Sequence, residues 1–461
     1  MAQNPHWEDI YSNNRVGKEK LKSEIRSGFQ RDFDRLIFSS AFRRLQNKTQ
    51  VFPLPGSTFV HNRLTHSLEV ASVGRSLGKI AGAYIAEREV NIEGAREFYR
   101  YELSNVIAAA CLAHDIGNPS FGHSGEKALS AFFVERASSM QSYFSTGEWN
   151  DLVNFEGNAN AFRILTHTFK GKLPGGFGLT YTTLAAILKY PCDSSSLSKA
   201  SHRKKYGYFR TETGVFREVA EEVRMMPDTT DMSANAQVGG AFRRHPFVYL
   251  TEAADDICYQ VIDMEDAHRL GILGLEETQD CFLDLMMRIG RAEDRMDRVK
   301  KTLESIGDPN EKIAYLRARC INTLTLQAAD IFIGERERIL AGTFEGTLVS
   351  SINRSFQALN KIEDISVERI YNHDSVIQVE IAGYHVMSGL LEAFVPPLLK
   401  ERPDARDKKM IRLIPDQFLG QNDGTPYERV RCVLDYISGM TDPYATELYR
   451  KLMGIDIPSH H

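Results

Sequence analysis

The stretch "CLAHDIGNPSFGHSGEKAL" (111–129) runs from an apolar helical pattern straight into His114 and Asp115, breaks at Gly117 and Pro119, and then presents His123 and Glu126. So many titratable groups at the end of a buried pattern point to chemistry rather than packing. Imidazole nitrogens and carboxylate oxygens are donors for divalent cations. A mixed set of two His and two Asp suits Mn2+, Fe2+, Ni2+, Co2+ or Mg2+ better than a thiolate site would. His114 and Asp115 are adjacent, so at a helix end they project about 100° apart and can grip one ion from neighbouring directions. Burying that pair is costly unless something positive answers the carboxylate, and a metal would do so.

Two other segments supply partners. His66 lies in "NRLTHSLEV", and "TEAADDICYQVIDMEDA" (251–267) is rich in carboxylates. Asp255, Tyr259 and Asp263 fall at i, i+4 and i+8, one helix stripe able to face a pocket, whereas Asp256 points elsewhere, toward a cap or an arginine. Ile257, Val261 and Ile262 make this helix amphipathic.

The elements that must position these residues are helices. Leu64, Leu68, Ala71, Leu77 and Ile80 mark one face, and Val106, Ile107, Ala110, Cys111 and Ala113 mark a second helix, so the fold class is all-α. A short ribbon is predicted near "KKYGYFRTE". Gly117, Asn118 and Pro119 stop the second helix, and "LPGGFGLT" leads to a helix "YTTLAAILKY" that ends before Pro191. The serine-rich stretch 192–206 reads as a mobile surface loop, and the charged stretch 291–313 as an exposed helix. No internal repeat is present.

A length of 461 residues implies two domains or one large multi-helix body. With 42% hydrophobic and 25% charged residues the composition is that of a soluble globular chain. A formal charge of −5 argues against attraction of the whole surface to nucleic acid or anionic lipid, yet leaves room for a local basic pocket. The N-terminus lacks the order of a secretory signal, and no apolar run approaches the roughly 18 residues of a membrane helix. A cytoplasmic location without membrane attachment is expected. The scattered cysteines read as reduced.

"HNRLTHSLEV", "LAHDIGNPSFGHSGE", "EAADDICYQVIDMEDA" and "DYISGMTD", in that order, resemble the HD-domain deoxynucleoside triphosphate triphosphohydrolases of the bacterial dGTPase branch, over about Arg31 to Asp442. The resemblance implies a metal site of His66, His114, Asp115 and Asp255, the choice of Asp255 over Asp256 resting on the family pattern. It implies a catalytic pair, His123 and Glu126. For substrate it implies Arg63 at phosphate, Gln50 and Val51 at base and sugar, and Asn158, Lys189, Tyr259 and Asp263 at further pocket positions. Arg431, or its neighbour Arg429, is either a nucleotide contact or, with Asp435, a structural ion pair. "NHDS" at His373 and Asp374 lacks the surrounding pattern and reads as a loop. Ser120 stands where the family has a second proline; this loosens the turn before His123, with a small effect expected because Pro119 remains to stop the helix.

The activity so implied is hydrolysis of dGTP, or of other dNTPs, to deoxynucleoside and intact triphosphate, with Mn2+ or Mg2+ as metal and Fe2+, Co2+ or Ni2+ as alternatives. A homo-oligomer, tetramer or hexamer, and a nucleotide or single-stranded DNA effector are implied too. Residues 1–50 are assigned to an N-terminal helical segment, 51–275 to the HD catalytic core, and 276–461 to a C-terminal helical region completing the pocket and forming an oligomer interface. "SHRKKYGYFR" has the basic and aromatic composition of a single-strand contact but reads as a solvated loop. The competing functions are another HD phosphohydrolase, acting on nucleoside monophosphates or an alarmone, and a catalytically silent nucleotide or nucleic-acid-binding regulator. "KTQVF" and "DYISGMTD" count against the former.

Overall fold

Asn62 starts the helix that carries the first candidate ligand. Its side-chain oxygen accepts from Leu64 N and Thr65 N, and Thr65 Oγ1 accepts from Asn62 N in return, a reciprocal cap that fixes the first turn of α1 (Arg63–Arg88). Gly74, Gly78 and Gly82 then form a stripe along α1. A Cβ at Gly82 would lie 2.1 Å from the carbonyl oxygen of Tyr99, and one at Gly78 would lie 2.9 Å from Ser104 Cα. Backbone therefore meets backbone where α1 crosses α2 (Leu103–Ala113), a helix whose residues from Val106 onward are all buried. That approach brings the His66 and His114 rings to 5.4 Å between centroids.

The structure, a computed structural model, describes residues 5–17, 25–52, 60–228, 240–419 and 424–456. The terminal histidine pair lies outside these residues. Beyond α2, the turn 114–121 leads into α3 (Gly122–Glu135), followed by α4 (Gly157–Thr166) and α5 (Tyr181–Ile187). The carboxylate-rich segment forms α6 (Val248–Arg269), packed against both α1 and α2, and α7 (Pro309–Gly334) covers α6 and α1 from outside. Then come α8 (Asp374–Leu399), α9 (Pro426–Ser438) and α10 (Asp442–Leu452). Among the described residues no helix is long and apolar enough to cross a membrane.

The apolar side chains separate into two cores. The larger joins α1, α2, α6 and α7 around residues such as Leu77, Ile107, Ile257 and Leu324. The smaller joins Leu129, Phe132 and Phe133 of α3 to Leu390 and Phe394 of α8 and to Val433 and Ile437 of α9. The all-α expectation holds: described residues show isolated bridges but no strand.

Several local expectations are corrected. No ribbon forms near 204–212; Tyr206 and Phe209 enter the smaller core, while Tyr208 stacks on Phe216 with ring centroids 3.9 Å apart. The serine-rich stretch is not a free surface loop. Ser194 Oγ donates to Asp151 Oδ1, Arg203 Nε donates to Ser196 O, and Cys192, Asp193, Ser196 and Tyr206 are buried. Its polarity satisfies a buried carboxylate instead of water. Leu68 is exposed, because the glycine stripe turns α1 so that Val70, Val73, Leu77 and Ala81 face inward. The helix from Tyr181 stops at Ile187, and of the pair read as a loop His373 is non-helical and caps α8, whereas Asp374 is its first residue. Ser120, at the position of the family's second proline, is buried and its hydroxyl donates to Met440 O at 2.8 Å, a tether that accompanies the small effect expected there.

Candidate active site

Three ligand atoms, one each from α1, the end of α2 and α6, converge. The donor nitrogens of His66 and His114 and an oxygen of Asp255 all lie within 4.8 Å of one another. His66 Nε2 is 3.1 Å, and His114 Nε2 3.4 Å, from Asp255 Oδ1. His114 Nδ1 meets Cys111 O at 2.6 Å, which holds a proton on Nδ1 and makes Nε2 the nitrogen that would give its lone pair to a cation. That Nε2 is buried without a hydrogen-bond partner. An orphaned imidazole nitrogen facing a carboxylate and a second imidazole fits a divalent cation, by donor type and by unmet coordination.

Asp115 stands at the edge of this cluster. Its Oδ1 is 3.5 Å from His114 Nε2 and accepts from Asn118 Nδ2, while Oδ2 accepts from Arg63 Nη1 at 2.7 Å. Burial alone would raise its pKa, but Arg63 and His114 outweigh that and hold it below the usual carboxylate range. Asp255 is held lower still: burial opposes ionisation, and the two histidines overcome it. For His114 burial disfavours the charged ring, yet Asp115 and Asp255 lift its pKa to about 9. The surrounding field thus asks for positive charge at the point where these ligands meet.

A cavity of about 550 Å³ opens beside the cluster, between elements of the two cores. Arg63, Lys189 and Lys205 line it, as do Gln50, Val51, Asn158 and Tyr259, together with His123 and Glu126 from the first turns of α3. Lys189 Nζ lies 3.2 Å from Glu252, and Lys205 Nζ 3.0 Å from Glu156. Burial disfavours the Lys189 charge, but Glu252 and Asp256 raise its pKa, so it remains a cation. Arg63 Nε and Gln50 Oε1 are both buried without a partner. The cavity therefore offers three cations and two unmet polar atoms, which suits a polyanionic, hydrogen-bonding ligand.

Two expected residues stand apart from this cavity. Asp263 lies behind it, accepting from the Tyr371 hydroxyl at 2.9 Å, and burial raises its pKa to about 8. Arg431, fully buried on α9, borders a second cavity of about 1350 Å³. Its guanidinium carbon sits 3.5 Å from the centre of the Phe209 ring, and its Nη2 is 3.6 Å from Asp435. Arg429 lines the same second cavity. His66 reaches the cluster through Asp255 without bordering the first cavity itself. Asp256 turns toward Thr347, the capping residue of the helix Leu348–Phe356.

The structure adds residues that sequence reasoning missed. Tyr371 lines the cavity and stacks on Tyr259, with centroids 5.7 Å apart, and Glu380 of α8 stands nearby. Nothing local in the sequence marks either. Lys205 was visible only as part of a basic, aromatic stretch; its position depends on Tyr206 being anchored in the smaller core.

Residues 63–172 match the HD domain family, and residues 352–451 match the phosphohydrolase-associated domain. A deoxyguanosinetriphosphate triphosphohydrolase-like protein from Synechocystis sp. is 37% identical over 98% of this chain and 100% of its own length. Another of that description from Pseudomonas aeruginosa is 36% identical with the same coverage. A deoxyguanosinetriphosphate triphosphohydrolase from Salmonella typhimurium is 31% identical over 95% of each chain.

Proposed function

The chain belongs to the HD-domain phosphohydrolases of the deoxyguanosinetriphosphate triphosphohydrolase family, and from that premise we propose that it hydrolyses dGTP to deoxyguanosine and inorganic triphosphate. The observation that carries this reading is the placement of Arg63, Lys189 and Lys205 around one cavity beside the His66, His114 and Asp255 cluster. A triphosphate needs offsetting charge over its length, and those cations supply it.

His66, His114, Asp255 and Asp115 would hold the divalent metal, proposed as Mn2+ or Mg2+. When bound it supplies Lewis-acid polarisation of a phosphoryl oxygen and a more acidic water. The chain's own groups do the rest. Arg63, fixed through Asp115, and the two lysines orient the phosphates; Gln50, Val51, Asn158 and Tyr259 bind and orient the nucleoside. In the reaction a water oxygen ends on the α-phosphorus and the bond from that phosphorus to the 5′ oxygen breaks. The departing 5′ oxygen takes a proton from His123 Nε2, the nitrogen left available when Nδ1 is engaged by Glu126 at 2.9 Å. The proton released by the attacking water restores the imidazole.

A cytoplasmic role in controlling dNTP pools, assembly into a homo-oligomer, and response to a nucleotide or single-stranded DNA effector belong to the same reading. The test is incubation with each of the four dNTPs in Mg2+ and in Mn2+, with phosphorus products identified by 31P NMR. Intact triphosphate, formed fastest from dGTP, is expected. Pyrophosphate or orthophosphate would replace the reading with another phosphohydrolase chemistry, and nucleotide binding without product would favour a silent regulator.

A further inference from the structure

Asp442 occupies the first turn of α10, where an acid would ordinarily serve its own helix. Its carboxylate is buried and directed elsewhere. Oδ2 accepts from Thr49 N at 2.8 Å, and Oδ1 accepts from Phe121 N at 3.0 Å. Thr49 leads into Gln50 and Val51 on one wall of the cavity. Phe121, with a left-handed φ of 61°, is the residue from which α3 departs carrying His123 and Glu126 on another wall. One side chain thus joins two walls that no chain connection joins locally.

The surrounding bonds run the same way. Ser120 Oγ donates to Met440 O, and Lys48 Nζ donates both to Ser438 O at 2.9 Å and to Asn118 O at 2.5 Å. Asn160 Nδ2 donates to Gly117 O at 2.7 Å and to Ser438 Oγ at 3.2 Å. The 438–442 segment, at the junction of α9 and α10, is therefore stitched to the turn after the metal ligands and to the chain entering Gln50. Phe121 is not glycine, so its left-handed backbone must be held by its surroundings, and a charged acceptor on its own N–H does so.

We propose that Asp442 is a positioning residue whose two oxygens hold the Gln50–Val51 wall and the His123 turn in register, so that the C-terminal segment sets the alignment of His123 with bound nucleotide. This rests on the nucleotide-hydrolysis reading of the cavity. The competing account is an acid that merely stabilises α10. It requires lower thermal stability with an unchanged turnover per folded molecule.

The test uses the full chain with Asp442→Asn, which keeps one acceptor oxygen and turns an amino group toward the other N–H. Misplacement by about an ångström costs on the order of a hundredfold in rate. The expectation is a kcat reduced by about tenfold to a hundredfold, with metal content unchanged and faster amide hydrogen exchange at Thr49 and Phe121. Combined with His123→Ala the loss should not deepen, because a misaligned acid and a missing acid are the same defect. Losses that multiply, or wild-type kcat and exchange in the single variant, would overturn the proposal. If the unaltered protein releases no triphosphate from any dNTP, the functional reading fails on its own, and retained protection at both amides still decides against Asp442. Should Asp442→Asn not fold, Ser120→Ala, which removes only the Met440 tether, enters the same cycle. A smaller, equally non-additive loss supports the proposal, and unchanged kcat and exchange overturn it.

Discussion

His123 and Glu126 form a pair in which the buried partner orients the exposed one. His123 Nδ1 is 2.9 Å from Glu126 Oε2, with the imidazole 77% exposed and the carboxylate 10%. The other oxygen, Glu126 Oε1, accepts from Gly157 N at the start of α4. Burial works against ionising Glu126, yet His123 and Lys205 lower its pKa, so it is an anion at neutral pH. Glu126 on Nδ1 fixes the orientation of the ring and leaves Nε2 as the nitrogen that exchanges the proton. Replacing His123 by Ala should lower kcat by about 10² to 10⁴-fold. Glu126→Gln should cost on the order of tenfold to a hundredfold in kcat, because the ring loses the partner that orients it. Stopped assays over pH 5–9, alongside metal analysis, check both. Unchanged turnover in a metal-loaded His123→Ala protein removes His123 from the chemistry.

Metal should act on stability as well as on rate. His114 Nε2 has no hydrogen-bond partner in its buried position, so a bound cation satisfies a group that is otherwise unmet. Saturation at about a hundred times Kd adds about 2.7 kcal/mol to the folded state. Chelation followed by titration with Mn2+ should therefore raise Tm progressively, and His114→Ala should abolish most of the rise. A wild-type metal-dependent shift in that variant would place the cation elsewhere.

The glycine stripe makes a prediction about packing. Gly→Ala inside a helix ordinarily gains roughly 1 kcal/mol of propensity, but overpacking a tight contact costs about 1–3 kcal/mol. At Gly82 the new methyl would meet the rigid backbone oxygen of Tyr99 at 2.1 Å, so overpacking wins and Gly82→Ala should be destabilising. Gly94, with nothing within 4 Å of its added Cβ, should show only the propensity effect. Urea melts of the two variants, side by side, test the difference. Equal midpoints would mean that α1 does not press against the backbone at Tyr99.

How legible the site was depended on whether position followed from local pattern. His66, His114 and Asp115 stood out as candidates because imidazole and carboxylate donors lie at helical ends, whereas joining them with Asp255, rather than Asp256, in one site rested on the resemblance to the family; the structure brings His66, His114 and Asp255 together. The all-α class followed from periodicity. Leu68 misled because periodicity assumes that apolar residues define the buried face, whereas on α1 the glycines do. The 192–206 stretch misled because polarity was taken to mean water, when Asp151 was the partner. Tyr371 and Glu380 were invisible, since only the return of the chain through α8 and the turn before it brings them to the cavity.

Tyr371 and Asp263 carry the last prediction. The Tyr371 hydroxyl donates to Asp263 Oδ2, and burial raises the Asp263 pKa to about 8, against about 3.9 for an unfolded carboxyl. Between those values the folded chain keeps a proton that the unfolded chain has lost. The associated stability is complete below pH about 3.9 and declines as pH rises toward 8, by at most ~1.4 kcal/mol per pH unit. Asp263→Asn removes the titrating proton while keeping an oxygen acceptor for Tyr371. The difference in Tm, variant minus wild type, should therefore grow steadily from pH 5 to pH 8 and level off above that. Thermal melts at half-unit intervals measure it. A difference that stays flat across this range would mean that Asp263 is ionised in the folded protein, with a cationic or hydrogen-bonding partner beyond Tyr371 stabilising its charge.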